Sequence, residues 1–263
     1  MTTNPIMKRI LIYGLLYLAL NLYAWFRSDQ LLFCPQEPSY LHLPNEVKIP
    51  TADGEHITAV FLEYPDTEHT ILFNHGNAED LGNVVPFMQQ FYEMGFSVLM
   101  YDYRGYGTSE GKASTTHVKQ DAEAAYHWLV NEKRIDPKSI IIQGRSLGGG
   151  VAVWLASRNE CGGLITEESF ASAIRVKTHW KILPWDKFNS LRSIRRVDCP
   201  VLVIHGTDDQ LIPLWHGEKV YNAAPEPKRA LWIEGGKHNN YVYAAEEKYF
   251  TTIRQFIDEL GAQ

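Results

Sequence analysis

The chain is short of several things that would point to other kinds of protein. It has three cysteines in 263 residues, Cys34, Cys161 and Cys199. Three widely spaced cysteines make neither a disulfide framework nor a C-x-x-C metal or redox pair, so each is read as a small buried hydrophobe. Positive charge is not in excess: 25 Lys and Arg stand against 31 Asp and Glu, for a formal net charge of −6. No basic stripe is present, which argues against a nucleic-acid partner. No G-x-x-x-x-G-K-[ST] occurs and no G-x-G-x-x-G opens a helix, so a phosphate cradle of either kind is not expected. Internal repeats and low-complexity tracts are absent. Disorder is excluded by what the chain does contain, because 45% hydrophobic and 12% aromatic residues need burying. The length suits one sizeable core.

Negative charge is missing from one place in particular. No acid precedes Asp29, while Lys8, Arg9 and Arg27 flank the apolar run Ile10–Phe26. The run is about 17 residues, or roughly 25 Å as a helix, at the lower limit for crossing a bilayer. Tyr13, Tyr23 and Trp25 lie toward its ends, where they suit interfacial anchoring. The first reading of residues 1–30 is an uncleaved, single-pass membrane anchor. A cleaved signal peptide comes second, weakened because Leu22-Tyr23-Ala24 is a poor small-x-small site. The third is an amphipathic helix lying on the membrane or on the rest of the protein. Lys8 and Arg9 belong on the cytoplasmic side, which assigns residues 31–263 to the non-cytoplasmic side.

After Pro35 the pattern alternates strand and helix. Glu46–Pro50 and His56–Glu63 flank Thr51-Ala52-Asp53-Gly54, which reads as a hairpin. Continuous apolar runs follow at Thr70–Phe73, Phe96–Tyr101, Ser139–Gln143, Gly163–Thr166, Pro200–Ile204 and Arg229–Ile233. Such runs suit strands buried on both faces of a parallel sheet. Helical patterns separate most of them, at about Val84–Glu93, His117–Asn131, Leu147–Ser157, Leu214–Ala223 and Ala244–Leu260. This order predicts a doubly wound α/β domain that binds its ligand at the carboxyl ends of the strands. Residues 171–198 carry no clear strand and read as a small lid insertion.

The chemistry concentrates at those strand ends. Gly144-Arg145-Ser146-Leu147-Gly148 is a G-x-S-x-G directly after a strand and directly before a helix. A nucleophile on such a turn has strained backbone angles and an exposed hydroxyl, and its neighbouring glycines relieve crowding. The bland alternative is a glycine-rich packing turn with an incidental serine. A serine needs a base, and the base needs an orienting acid. Ten histidines are present, so position must choose among them. His238 follows the last strand across Gly235-Gly236-Lys237 and is the candidate base. His117, His127 and His216 fall on helices. His42, His56 and His69 lie away from the strand ends, His179 lies in the insertion, and His75 and His205 read as structural loop residues. The acid belongs to another strand end, where Asp208-Asp209 follow Gly206 and Glu167-Glu168 follow the strand before. Asp208, Asp209 and Glu168 are the candidates, and one of the two aspartates suits a helix cap near Pro213. The oxyanion needs two backbone N–H donors. Leu147, next after the nucleophile, is one candidate, and Asn77 of His75-Gly76-Asn77-Ala78 is the other.

These motifs together resemble the α/β-hydrolase superfamily, and within it the Bem46-like group with small lids and membrane anchors. The residues carrying the resemblance are His75-Gly76-Asn77, Tyr101 through Ser109, the Ser146 elbow, Gly206 through Pro213 with its G-x-x-D-x-x-[IV]-P spacing, and Gly236-Lys237-His238-Asn239. The resemblance implies a mostly parallel eight-stranded sheet with helices on both faces. It also implies a serine hydrolase acting on ester or thioester bonds without metal or organic cofactor, Asp209 as the acid by the register of that spacing, and a structural role for Asp102 and Arg104. A serine peptidase on the same scaffold and a non-catalytic binding protein are the alternatives. Trp180, Ile182, Leu183 and Trp185 of the insertion suggest an apolar acyl site, and so a small-molecule, acyl or lipid-like ester as substrate. The sequence is silent on oligomeric state.

Overall fold

Thr51-Ala52-Asp53-Gly54 turns the chain back on itself, and the sheet begins there. In the computed structural model, which describes residues 5–178 and 183–260, β1 (Glu46–Pro50) and β2 (His56–Leu62) pair antiparallel, with Ile49 opposite Ile57. Strands β3 (Thr70–Asn74), β4 (Ser97–Tyr101), β5 (Ile140–Arg145), β6 (Gly163–Glu167), β7 (Val201–Gly206) and β8 (Lys228–Ile233) complete an eight-stranded sheet. The order is β1-β2-β4-β3-β5-β6-β7-β8. β2 pairs antiparallel with β4, and every pairing from β4 to β8 is parallel. The apolar runs were continuous rather than alternating because β3 to β7 are buried along most of their length on both faces.

One face is covered by α2 (Leu81–Glu93) and by the last helix, α9 (Glu247–Asp258). Asp80 starts α2 through a capping box: its side chain accepts the Asn83 N–H, and the Asn83 side chain accepts the Asp80 N–H. Leu81, Val84, Met88 and Phe91 of α2 join Tyr249, Ile253, Phe256 and Ile257 of α9 over Ile71, Phe73, Val98, Met100 and Ile141. The alternate strand residues Leu72, Leu99, Ile142, Leu164 and Val203 are also buried and face the other side. That side is covered by α3 (Thr115–His127), which runs on as a π turn over Trp128–Glu132, and by α4 (Leu147–Ala156). The remaining helices are α5 (Ala173–Thr178), α6 (Ser190–Ile194), α7 (Trp215–Ala223) and α8 (Tyr241–Ala245). The pattern over Ala244–Leu260 suggested one helix, but two are present, α8 and α9. They are separated at Glu246, whose φ of 51° no right-handed helix accepts.

The chain divides into two units, Met1–Cys34 and Pro35–Gln263. The first is built on α1 (Pro5–Leu32), 28 residues long, or roughly 42 Å at the usual rise. It is the one helix among the described residues long and apolar enough to cross a membrane. Within the second unit, the strand order reverses at β3 and β5, since the chain leaves β3 for β4 on one side and later enters β5 on the other. The carboxyl ends of β3 and β5 flank the crevice that such a reversal opens, and they carry His75-Gly76-Asn77 and Ser146.

Candidate active site

β5 ends at Arg145 and α4 begins at Leu147, so Ser146 alone makes the turn, at φ 55° and ψ −115°. A non-glycine residue held there costs about 1–3 kcal/mol. The surroundings hold it in place. Ser146 N donates to Glu167 O at 2.8 Å, while Gly149 N and Ser169 Oγ donate to Ser146 O at 3.1 and 2.9 Å. The flanking glycines are required by close approach. A Cβ on Gly148 would lie 2.0 Å from Asn74 O, and one on Gly144 would lie 2.2 Å from Gly148 O. Without those hydrogens-only positions, α4 could not start between β3 and β5.

Two other loops reach the same point. His238, after β8, places Nε2 3.0 Å from Ser146 Oγ and Nδ1 2.7 Å from Asp209 Oδ2. Asp209 Oδ1 accepts the N–H groups of Leu211 and Ile212 at 2.8 and 2.9 Å. With the Nδ1 proton donated to Asp209, Nε2 is left as the acceptor facing the serine hydroxyl. The two loops meet where Gly206 passes Gly236: a Cβ on Gly206 would lie 2.2 Å from Gly236 O, and Asp208 N donates to that same oxygen at 2.9 Å. Asp208 itself is exposed. Burial alone would push the Asp209 carboxyl up, but hydrogen bonds from His238, Glu168 and the Ile212 N–H outweigh it and hold the group below the usual range.

Glu168 is the other acid at this end of the sheet. It is buried, and its Oε1 accepts Gly206 N at 2.6 Å. Burial first, then the hydrogen bond to Asp209 and the charge on Asp209, push Glu168 well above the ordinary carboxyl range. His205 lies behind both, its Nε2 3.7 Å from Glu168 Oε2 and 3.7 Å from Asp209 Oδ2. Its Nε2–H donates to Ile212 O at 2.7 Å, and burial lowers its pKa. Glu168, His205 and Asp209 thus gather potential ligand atoms within 4.8 Å of one another. The donor set does not suit a metal: Asp209 is engaged by His238 and two backbone N–H groups, and His205 by a carbonyl.

Asn77 and Gly76 border the same space as Ser146 and His238. Two tyrosines steady this segment. Tyr103 OH donates to His75 O at 2.9 Å, and Tyr106 OH donates to Asn77 Oδ1 at 2.6 Å. The His75 ring packs on both, at centroid distances of 4.3 and 5.4 Å. Its Nδ1–H donates to Gly76 O at 2.7 Å. Asp102 accepts the Leu81 N–H at the start of α2, at 2.9 Å, and Arg104 Nε donates to Asp121 at 2.7 Å. Their contacts build the loop that supports His75 through Asn77. Of the other histidines, His42, His56, His69, His117, His127 and His216 do not line the space around Ser146, and His179 lies outside the described residues. His216 is buried and accepts Ala171 N at 3.1 Å.

The cavity beside Ser146 measures about 910 Å³. Its described walls come from three helices and the elbow. They are Phe87 and Gln90 of α2, Val242 and Tyr243 of α8, and Glu247 and Phe250 of α9, with Arg145 at the base. Among the described residues, none from 171–198 lines it, and Trp180 and Ile182 lie outside those residues. The insertion instead buries Phe188, Ile194 and Val197, and its α6 packs on α4 and α7. Two residues here have roles that their place in the motifs did not specify. Arg145 Nη2 pairs with Glu79 Oε1 at 2.5 Å, and its guanidinium lies 5.4 Å from the Phe87 ring. Glu167, fully buried, accepts the hydroxyls of Tyr241 and Tyr249 at 2.5 and 3.0 Å, fixing the chain just after His238.

Residues 65–192 match the family model described as serine aminopeptidase, S33. The chain is 38% identical over 200 residues to alpha/beta hydrolase domain-containing protein aho-3 of Caenorhabditis elegans, covering 74% of this chain and 59% of that protein. It is 34% identical over 217 residues to human alpha/beta hydrolase domain-containing protein 17B, covering 80% of this chain and 73% of that protein. It therefore spans less than two thirds of the Caenorhabditis elegans relative. Among solved structures, the Pyrococcus furiosus esterase Pf2001 superposes with a TM-score of 0.73 at 19% identity, over 86% of this chain and 98% of that one, a likeness of fold. By its sheet order, its elbow and its identity to these relatives, the chain belongs to the α/β-hydrolase superfamily.

Proposed function

We propose that the protein is a serine hydrolase that cleaves carboxylic ester or thioester bonds through an acyl-enzyme intermediate. The observation that carries this reading is the hydrogen-bonded chain Asp209–His238–Ser146, at 2.7 and 3.0 Å, ending on a strained elbow. Ser146 Oγ attacks the substrate carbonyl while His238 Nε2 takes its proton. Asp209, held ionised, stabilises the imidazolium and fixes its tautomer. The Leu147 and Asn77 N–H groups receive the developing oxyanion. Collapse of the tetrahedral species expels the alcohol or thiol, which takes the proton from His238. Water then repeats the sequence on the acyl-serine. The apolar rings of Phe87, Tyr243 and Phe250 favour an acyl or lipid-like group in the cavity. A serine peptidase is the second reading, favoured by the description of the matching family model. No cofactor enters this mechanism.

The first test is a fluorophosphonate probe. Wild-type protein is expected to label and Ser146→Ala to lose the label completely. A panel of nitrophenyl esters, acyl thioesters and aminoacyl amides then separates the readings. Turnover of esters or thioesters with inert amides supports the proposal, amide turnover alone supports the peptidase, and unlabelled wild-type protein rejects both.

We infer further that α1 is an uncleaved, single-pass anchor with residues 31–263 on the non-cytoplasmic side. The length and hydropathy of Pro5–Leu32 and the basic pair Lys8 and Arg9 support this. Full-length protein is expected to stay with membranes through a carbonate wash. A chain beginning near Asp29 is expected to be soluble and to keep its esterase rate, because the proposed chemistry lies beyond Thr70. Full-length protein in the soluble fraction after the wash would sink the anchor reading.

A further inference from the structure

Two of the three cysteines, far apart in sequence, are in contact. Cys161 and Cys199 are 38 residues apart, yet their Sγ atoms lie 3.2 Å from each other. Cys34 is exposed, against its reading as a buried hydrophobe, whereas Cys161 and Cys199 keep that burial and also touch. Each is a thiol in this structure and each is buried. We propose that Cys161 and Cys199 form a structural disulfide in the mature protein.

The sheet prepares the pair. Cys161 lies two residues before β6 and Cys199 two residues before β7, and these strands are parallel neighbours, with Leu164 opposite Val201. Leu164 N donates to Pro200 O at 3.0 Å, and Gly162 N donates to Ile140 O at 2.9 Å, so the backbone is pinned beside each thiol. Neighbouring strands run about 4.8 Å apart. The register of β6 on β7 offsets the two cysteines by one residue just before the strands begin, and their side chains close that offset to bring the sulfurs within 3.2 Å. The sulfurs need to close by roughly 1.2 Å to bond, which side-chain rotation can supply while the sheet stays in place. The site is at the amino edge of the sheet, the end opposite Ser146, and both residues line a groove of about 520 Å³ there. Solvent and small reagents thus have a route to the pair when the fold opens locally.

Oxidation is a thiol–disulfide exchange with a small-molecule or protein disulfide as oxidant. One cysteine thiolate attacks the oxidant and expels one of its sulfurs as a thiol, leaving a mixed disulfide. The second cysteine attacks that mixed disulfide at the protein sulfur, forms the Cys161–Cys199 bond and expels the second thiol. Two protein thiols are oxidised and one disulfide is reduced to two thiols. The hydrogen bond to Cys161, followed by burial, pushes the Cys199 thiol up, and the burial of both sulfurs keeps an oxidant from reaching them in the folded chain. The bond therefore forms during folding, before the pair is enclosed, and resists reductant afterwards. It closes a loop holding β6, Glu168 and all of residues 171–198, and so restrains the unfolded chain.

The test uses the full chain in detergent, isolated with thiols blocked at lysis. A second portion is partly unfolded with urea, returned to native conditions in a glutathione and glutathione-disulfide buffer of secretory-lumen poise, and then blocked. This second arm separates the bond from the location inferred above. After full denaturation with N-ethylmaleimide, intact mass is expected to show one maleimide per chain, on Cys34, and three after reduction. A peptide map is expected to link Cys161 to Cys199. Reduction is expected to lower the melting temperature by about 5–10 °C, and Cys161→Ala is expected to melt the same with or without reductant. Three maleimides in the glutathione arm, glutathione carried on either residue, or a bridge that includes Cys34 would overturn the proposal.

Discussion

His238→Ala is expected to lower kcat by about 10⁴- to 10⁶-fold on any ester that the wild-type enzyme turns over. The side chain bridges two groups that do not otherwise meet, Asp209 Oδ2 at 2.7 Å and Ser146 Oγ at 3.0 Å. Removing it leaves a neutral serine hydroxyl with no proton acceptor. Among the described residues at this end of the sheet, His75 gives its Nδ1–H to Gly76 O and His205 its Nε2–H to Ile212 O, so neither replaces it. KM is expected to change far less than kcat, because the imidazole acts on the transition state while the cavity walls on α2, α8 and α9 stay in place. Alanine at the exposed or half-buried His56, His117 and His127 is expected to leave the rate within about twofold, and the melts of all four variants exclude misfolding. Added imidazole is expected to restore part of the His238→Ala rate by occupying the vacated space between Asp209 and Ser146. A variant at wild-type rate would remove His238 from the mechanism and leave the elbow without a base.

Legibility differed sharply between residues. The strands could be read because burial on both faces leaves an uninterrupted apolar run, as in Ile140-Ile141-Ile142. The elbow could be read because backbone contact at Gly144 and Gly148 forbids any side chain, so the physics leaves a fixed spacing in the sequence. Gly206 and Gly236 left the same mark where the loops of Asp209 and His238 cross. The cavity walls left none. Phe87 and Phe250 look like ordinary apolar positions on amphipathic helices, and only the break at Glu246 sets α8 and α9 around the space beside Ser146. That break is a glutamate at positive φ, a conformation for which its residue type gives no warning. Hence the sequence pointed to the insertion, rich in Trp and Pro, and left the cavity walls on α2, α8 and α9 unmarked. The contact of Cys161 with Cys199 was equally hidden, because it depends on β6 and β7 being neighbours, and that follows from the whole strand order.

The acid is where sequence and geometry weigh two carboxyls against each other, and the expected result is an ordered one. Asp209→Asn is expected to lose about 10³- to 10⁴-fold in kcat, whereas Glu168→Gln and Asp208→Asn stay within about tenfold of wild type. The reason lies in how the buried pair shares its charge. Asp209 holds the anion because it accepts the Leu211 and Ile212 N–H groups on one oxygen and His238 on the other. Glu168, with burial and a neighbouring anion against it, holds a proton. A glutamine at 168 keeps a donor for Asp209 and an acceptor for Gly206 N, so it changes little. An asparagine at 209 offers its own N–H or a neutral oxygen to His238, which disturbs the tautomer and removes the charge that stabilises the imidazolium. Asp208, exposed and outside this network, is expected to cost about 1 kcal/mol of stability or less. Thermal melts add a second signature. Glu168 binds its proton more tightly folded than unfolded, so its contribution to stability is greatest below the unfolded pKa of about 4.3 and declines as pH rises above it. The melting temperature of wild type is therefore expected to fall more steeply than that of Glu168→Gln between about pH 5 and 8. Steady-state rates for the three variants on one ester, taken with these melts, decide the assignment. An active Asp209→Asn beside an inactive Glu168→Gln would move the acid to the end of β6, with Ser146 and His238 unchanged in their roles.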